Sequence, residues 1–432
     1  MTVQTNPQLP RGPWFPAALQ SAWYGLAPLS FFDAARRRYG DVFTVRVMGM
    51  VWTVLAVPEA VRDVFTGDPA VLYSGEANLA LRPLIGTRNL LLLDGSEHLH
   101  RRKLMLPPFH GERMQAYRAI MEQATRRELD AWPVGRPQGA LAHMQAITFE
   151  VILRAVFGVA DADSLGPLAT RMRAVLDWVQ GPQAIVRFAL RGPEGIIRHA
   201  RFQQMNAAVD EQVFAEIARR RAAPDLDARE DILSLLLLAR DDAGRGLEDR
   251  DVRDELLTLL TAGHETTAAT LAWAIHFLAR DPSAQERLAA RTPGFADAVV
   301  QETLRLRPPI ALVARVLKAP LTVGGHALPA GAIVAPAPLL IHRDPAIYPD
   351  PAAFRPDRFL DRKPPAYRWI PFGGGVRRCI GAAFAQTEAR VVLEEVFSRF
   401  RARAYRRRRE AVGRRGIVLI PLRGGRIVLE PR

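Results

Sequence analysis

The sequence predicts a mainly α fold with small β-sheets, and three observations carry that prediction. Several long stretches repeat apolar residues at helical spacing. Strand-like runs are few and cluster in two places. One helix-compatible stretch, Leu247 to Arg280, is too long for a small domain.

In chain order, Val42 to Val47 and Val51 to Val57 are β-branched runs around a Met48-Gly49-Met50 turn. Met114 to Trp132, Met144 to Phe157 and Phe202 to Arg221 read as amphipathic helices. Leu247 to Arg280 contains no proline and ends at Asp281-Pro282, because proline disfavours helix in the residue before it. At about 1.5 Å per residue it is roughly 50 Å long, enough to cross most of a large domain. Tyr348 to Pro371 holds Pro349, Pro351, Pro356, Pro364, Pro365 and Pro371, which exclude regular helix and central strand. Its aromatics, Phe354, Phe359, Tyr367 and Trp369, predict a packed meander. Ala382 to Phe400 is another amphipathic helix, and Gly416 to Leu422 with Arg426 to Leu429 are expected to form a hairpin about Gly424-Gly425. Without repeats or low-complexity linkers, residues 1–432 are expected to form a single domain, with about 1–8 disordered.

Hydrophobic residues make up 49% and charged residues 24% of the chain, as in soluble globular proteins with a sizeable core. No run of about 18 apolar residues is present, so no membrane anchor is expected; the densest apolar stretch, Ile232 to Ala239, is too short. Met1 to Trp14 is polar and proline-containing, unlike a signal peptide, which points to the cytoplasm. The single cysteine excludes an internal disulfide, a cysteine-rich zinc site and an iron–sulfur cluster. The net charge of +14 is almost all arginine, with only Lys103, Lys318 and Lys363 as lysines. That skew reads as compositional background, so no nucleic-acid partner is expected. The run Arg401 to Arg409 reads as a solvated surface.

A lone cysteine is most often a small buried hydrophobe. The surroundings of Cys379 argue otherwise. Phe372-Gly373-Gly374-Gly375-Val376-Arg377-Arg378-Cys379-Ile380-Gly381 runs into the helix at Ala382. Its glycines permit a tight loop that a flat ligand can approach. The free N–H groups of a helix start, with Arg377 and Arg378, are expected to lower the thiol pKa. Phosphate binding, the rival use of a glycine-rich loop before a helix, lacks both the dinucleotide spacing and a Gly-Lys-Ser/Thr ending.

This segment resembles the haem-binding loop of the cytochrome P450 family, with Phe372, Gly375, Arg377, Cys379 and Gly381 matching the pattern. The resemblance spans about Leu9 to the C-terminus. It implies a P450-type fold whose long helix crosses the haem, with haem b as cofactor and Cys379 as the iron ligand. Ala262-Gly263-His264-Glu265-Thr266-Thr267, inside the long helix, resembles the oxygen-activation motif. Ala262 and Gly263 would leave room for haem and dioxygen, while Thr266 and Glu265 would deliver protons. A zinc reading of His264-Glu265 fails because position 268 is alanine.

Glu302 and Arg305 resemble the family's Glu-x-x-Arg pair, completed by Arg358 in Pro356-Asp357-Arg358-Phe359, with a structural role. His98, Arg102, Arg315 and Arg377 are the implied propionate partners, since charge-assisted donors suit anionic propionates; neighbouring His100 and Arg101 compete for the first two assignments. Phe372, Gly373 and Gly381 would complete the haem cradle. The implied substrate pocket includes Thr261, Ile310, Ala311, Leu312, Ile417, Val418 and part of Leu79 to Leu92. Nearly all are apolar, which implies a small lipophilic substrate such as a terpenoid, fatty acid, steroid or macrolide-like compound.

The implied activity is a monooxygenase that hydroxylates or epoxidises with dioxygen. Its electrons would come from NAD(P)H through a ferredoxin or flavodoxin and its reductase. The basic surface at Arg377 and Arg378 is the expected dock for that acidic partner, and a monomer is expected. Two alternatives are a peroxide-using or rearrangement-type haem-thiolate enzyme, against which Glu265 and Thr266 speak, and a non-enzymatic haem sensor or carrier.

Overall fold

The computed structural model describes residues 8–109, 111, 113–159, 166–362 and 364–432. Residues 1–7 of the segment expected to be disordered lie outside these described residues.

The chain begins with α1 (Ala17–Leu26) and α2 (Pro28–Tyr39), then β1 (Val42–Val47), β2 (Met50–Leu55), α3 (Pro58–Thr66) and β3 (Leu72–Tyr73). Next come α4 (Arg82–Ile85), α5 (Gly95–Met105), α6 (Arg113–Asp130), β4 (Gln138–Gly139) and α7 (Ala140–Phe157). A run of helices follows: α8 (Gly166–Gln180), α9 (Pro182–Arg191), α10 (Pro193–Ile197), α11 (Ala200–Arg221), α12 (Ile232–Leu238), α13 (Asp249–Leu278), α14 (Pro282–Ala289) and α15 (Phe295–Leu306). Four short strands, β5 (Arg315–Leu317), β6 (Leu321–Val323), β7 (His326–Leu328) and β8 (Ile333–Pro336), precede α16 (Pro338–Ile341). After the irregular meander come α17 (Ala382–Arg399), β9 (Phe400–Ala404), β10 (Val412–Arg415), β11 (Val418–Pro421) and β12 (Arg426–Pro431).

The predicted first strand pair is present, with Val42 opposite Leu55 and Val47 opposite Met50. It lies at one edge of a five-stranded sheet of order β1-β2-β8-β5-β3. The expected C-terminal hairpin is a correction. β11 pairs with β10, turning at Gly416-Ile417, and β12 pairs with β9 and β4 instead. Gly424 and Gly425 adopt φ of 75° and 68°, but the Glu410 carboxylate accepts the N–H groups of Arg423, Gly425 and Arg426. The carbonyls of Gly424 and Gly425 in turn accept the N–H groups of Leu141 and Ala140, respectively, at the start of α7. The two-glycine turn is therefore a junction between sheets.

The long helix is observed as α13, buried from Asp251 to Leu260 and again over nearly all of its C-terminal half. α7 lies against it. By length and composition α7 could cross a bilayer, which the search for an 18-residue apolar run did not anticipate. Most of it is buried, and Ile147, Phe149, Val151 and Phe157 belong to the largest core cluster. The same cluster takes in α6, α13, α15 and α17, so the helix that follows the Cys379 loop is embedded in the main core.

Candidate functional site

The Cys379 loop folds back through a bond from the Cys379 N–H to the Phe372 carbonyl at 3.0 Å. Gly373 and Gly375 take φ of 67° and 64°, a region that side chains rarely adopt. Gly374 and Gly375 have a further reason to be glycine. A Cβ on Gly374 would lie 2.2 Å from the Phe65 ring, and one on Gly375 would lie 2.2 Å from the Phe65 carbonyl oxygen. They serve the packing of the loop onto α3, which corrects the expectation that they clear space for a ligand. Open space lies at Gly381, where a Cβ would meet nothing within 4 Å.

Cys379 is solvent-accessible. Burial nonetheless dominates its thiol, pushing it up from its ordinary pKa, while the Gly381 N–H, Arg102 and Arg378 offset part of the effect. The thiol is thus reachable from solvent while the protein atoms around it still desolvate it. The expected lowering of the pKa is thus reversed, because desolvation outweighs the helix start and the arginines. A thiolate here calls for direct contact with a cation.

A second accessible surface opens in the otherwise buried α13. Thr261, Gly263 and Thr266 are partly exposed and Ala262 is exposed. A Cβ on Gly263 would meet Ile152 of α7 at 3.2 Å, so this notch serves helix packing. The Thr266 hydroxyl donates to the Ala262 carbonyl at 2.8 Å, closing one helical turn.

The Glu265 carboxylate turns towards α7, where the Gln145 amide donates to both oxygens at 3.1 and 3.0 Å. Burial raises the Glu265 pKa, against the pull of Arg415 and Gln145. His264 packs edge-on to Phe149, and burial, reinforced by Arg173 and Arg415, lowers it to about 3. Among the described residues no cluster of three or more His, Cys, Asp or Glu could hold a metal ion.

α5 separates the competing candidates cleanly. Arg101 is committed to Glu255 at 3.1 Å, Asp251 at 3.2 Å and the Arg88 carbonyl at 2.8 Å. His100 lies on an exposed face, 3.6 Å from Asp241. His98 and Arg102, one turn apart on a different face, have no hydrogen-bond or ion-pair partner among the described residues. Burial, then Arg377, Arg102 and Arg315, lowers His98 to about 3. Burial and Arg377 lower Arg315 to about 10, against Asp94. Arg315 is 4% exposed and donates only to the Ser74 hydroxyl at 3.2 Å and the Ala314 carbonyl at 2.8 Å.

Arg377 is spoken for differently. It pairs with Asp94 and donates to the carbonyls of Leu90 and Leu93. Asp94 also accepts the N–H groups of Ser74, Gly75 and Glu76. The expected basic dock therefore reduces to Arg378, which is exposed and without an ion pair among the described residues.

Glu302, Arg305 and Arg358 come together in one brace. Arg305 and Glu302 are fully buried and joined by two bonds of 2.6 and 2.8 Å. Arg305 also donates to the carbonyls of His342, Pro351 and Ala353, and Glu302 accepts the Arg355 N–H at 2.8 Å. Arg358 lies 3.4 Å from Glu302 and donates to the Asp350 carbonyl. His342, missed in the sequence, extends the brace by accepting the Ile370 N–H at 2.7 Å, two residues before Phe372. The wall residues divide. Thr261, Ile310 and Leu312 are partly accessible and Ile417 is 41% exposed. Ala311 is a correction: at 2% exposed it packs in a core cluster with Phe43, Trp273 and Leu419. Val418 is also buried and forms a strand bridge to Ile310, so it backs the wall.

An accessible thiol in a desolvated cleft, open space at Gly381 and buried cations without carboxylate partners fit a flat, anionic, iron-bearing group such as haem. The comparisons agree. The cytochrome P450 family model matches residues 7–290 and 294–424. Cytochrome P450 135B1 of Mycobacterium tuberculosis is 39% identical over 99% of this chain and 92% of its own length. Cytochrome P450 137 of the same species is 38% identical over 98% of this chain and 91% of its own length. Neither name states a substrate. The crystal structure of the cytochrome P450DA heme domain superposes with a TM-score of 0.83 at 23% identity, covering 98% of both chains. Retinoic acid-bound cyanobacterial CYP120A1 gives 0.82 at 24% identity, over 98% of this chain and all of that one.

Proposed function

The chain belongs to the cytochrome P450 family, an oxidoreductase family of monooxygenases whose cofactor is haem b, and we propose that it inserts one oxygen atom from dioxygen into a small lipophilic molecule. In this reading residues 1–432 act as one domain in the cytoplasm. Electrons come from NAD(P)H through a separate ferredoxin or flavodoxin with its reductase. The observation that carries the proposal is the accessible yet desolvated Cys379, in a chain whose long buried helix opens only around Ala262.

Cys379 would hold the haem iron, Arg102 and Arg315 would balance the charge of the propionates, and His98 would offer them a ring N–H. Arg377 would hold the flanking segment through Asp94 and so fix one edge of the cradle. When bound, haem supplies an iron centre whose thiolate ligand favours O–O bond cleavage. The chain's own residues do the rest. Thr266 keeps its hydroxyl in the Ala262 turn, at the accessible face. Glu265, one residue away, would take up a proton and pass it on, and burial raises its pKa in favour of that uptake. Ile310, Leu312 and Ile417 would present an apolar wall that admits a lipophilic substrate and excludes bulk water.

The test is spectroscopic. The reduced protein with carbon monoxide is expected to show the strongly red-shifted Soret band of thiolate-ligated haem, and Cys379→Ala is expected to abolish it. A band that survives this substitution overturns the assignment. A screen of terpenoids, fatty acids, steroids and macrolides for spin-state shifts would then identify the substrate class.

A further inference from the structure

Among the described residues, the cation that reaches Glu265 from a distant part of the chain is Arg415, with Nη1 4.0 Å from Glu265 Oε1. The same guanidinium donates through Nη2 to Asp177 at 3.0 Å and through Nε to the Gln180 side chain. Asp177 and Gln180 lie in the last turn of α8, and Arg415 is the last residue of β10. One planar fork thus joins a β-turn, the end of a helix and the acid inside α13, a geometry that a lysine point charge cannot reproduce in full.

The connection also spans the surface. The Asp177 side chain is 69% exposed and that of Glu265 is 11% exposed. The remaining neighbours of the acid are Gln145 from α7 and His264, whose Nε2 lies 3.7 Å away. His264 stays neutral near pH 7, and Arg173 of α8 acts on it. Arg415 is therefore the fixed positive charge that favours an ionised Glu265, and Asp177 opposes it. The turn that bears Arg415 is pinned on its other arm, where the Leu419 N–H bonds the Pro309 carbonyl at 2.8 Å. Its exposed tip is Ile417, two residues from Arg415.

We propose that Arg415 is a positioning residue for Glu265, setting a fixed positive charge on the α8 side of the carboxylate that Gln145 of α7 holds, and making its uptake of a proton from solvent depend on the docking of the β10–β11 turn against Asp177 and Gln180. The inference rests on the proposed role of Glu265 as the proton-delivering acid. The proton enters from bulk water onto the Glu265 carboxylate, and Arg415 keeps its own proton throughout.

Difference infrared spectroscopy of the haem-loaded protein can follow the Glu265 carboxyl band against pH, with Glu265→Gln identifying the band. Arg415→Gln is expected to move the midpoint upward, since it removes an opposing charge. Arg415→Lys is expected to return the midpoint towards that of the wild type. A merely structural arginine would lower the melting temperature in both variants and leave the midpoint in place, and that outcome overturns the proposal. Loss of the thiolate-type carbon monoxide spectrum in the wild type would instead defeat the haem reading. An intact spectrum with an unmoved midpoint defeats only the role of Arg415.

Discussion

Two groups of arginines sit in the buried parts of this molecule, and they are built on opposite terms. In the brace, Arg305 faces the Glu302 carboxylate and three backbone carbonyls, so its guanidinium is saturated by the protein itself. Near the Cys379 loop, Arg315 is buried and Arg102 partly buried, with no carboxylate in contact with either among the described residues. Burial lowers the pKa of both. A buried cation is costly unless paired. The brace has met that cost internally, whereas the second group leaves it for a ligand to meet. The difference is the physical ground for proposing a structural role for the first group and a cofactor-binding role for the second.

The largest effect should come from opening the saturated group. Arg305→Ala leaves the buried Glu302 without its two-bond partner and with Arg358 at 3.4 Å, and is expected to cost about 3–5 kcal/mol of stability. Denaturant unfolding of the haem-free protein would measure it. Arg315→Met should behave in the opposite way. The haem-free protein is expected to be as stable as the wild type or more so, while haem retention, followed by transfer to an acceptor globin, weakens by about tenfold. If Arg315→Met destabilises the haem-free protein as Arg305→Ala does, the contrast collapses. Arg377 sharpens it as an intermediate case. Because Asp94 already partners it, Arg377→Met is expected to cost the haem-free protein about 1–3 kcal/mol, visible as a lower melting temperature.

A further effect is one of pH. Burial holds His342 and His264 at about 3, below the unfolded value of 6.5. A depressed folded pKa contributes stability that is present above 6.5 and is lost as pH falls towards 3. Stability of the haem-free protein should therefore decline across that window. His342→Gln is expected to flatten the decline, at the expense of its bond to Ile370.

Much of the fold was legible because its signals are local. The proline-free run of α13, the proline-dense meander and the spacing that puts Glu302 and Arg305 on one helix face all lie within short windows. Cys379 stood out for the same reason. The misread features depend on partners far away in the chain. Gly424-Gly425 has the composition of a hairpin turn, but Glu410 redirects it. Gly374 and Gly375 are glycine because of Phe65, about three hundred residues earlier. Gln145, Asp94 and Arg415 carry no motif, and their importance emerges only when α7, the segment before α5 and the β10–β11 turn come together around the site. Ala311 looked like its apolar neighbours, and only packing separates wall from core.

The contact of Phe65 with the Cys379 loop ties two distant parts of the chain to one position. A side chain at Gly374 or Gly375 would collide with Phe65, so the path of the loop and the seating of α3 are set together. A volume change at Phe65 is therefore transmitted to the thiol through backbone displacement, although the two residues lie far apart in the chain.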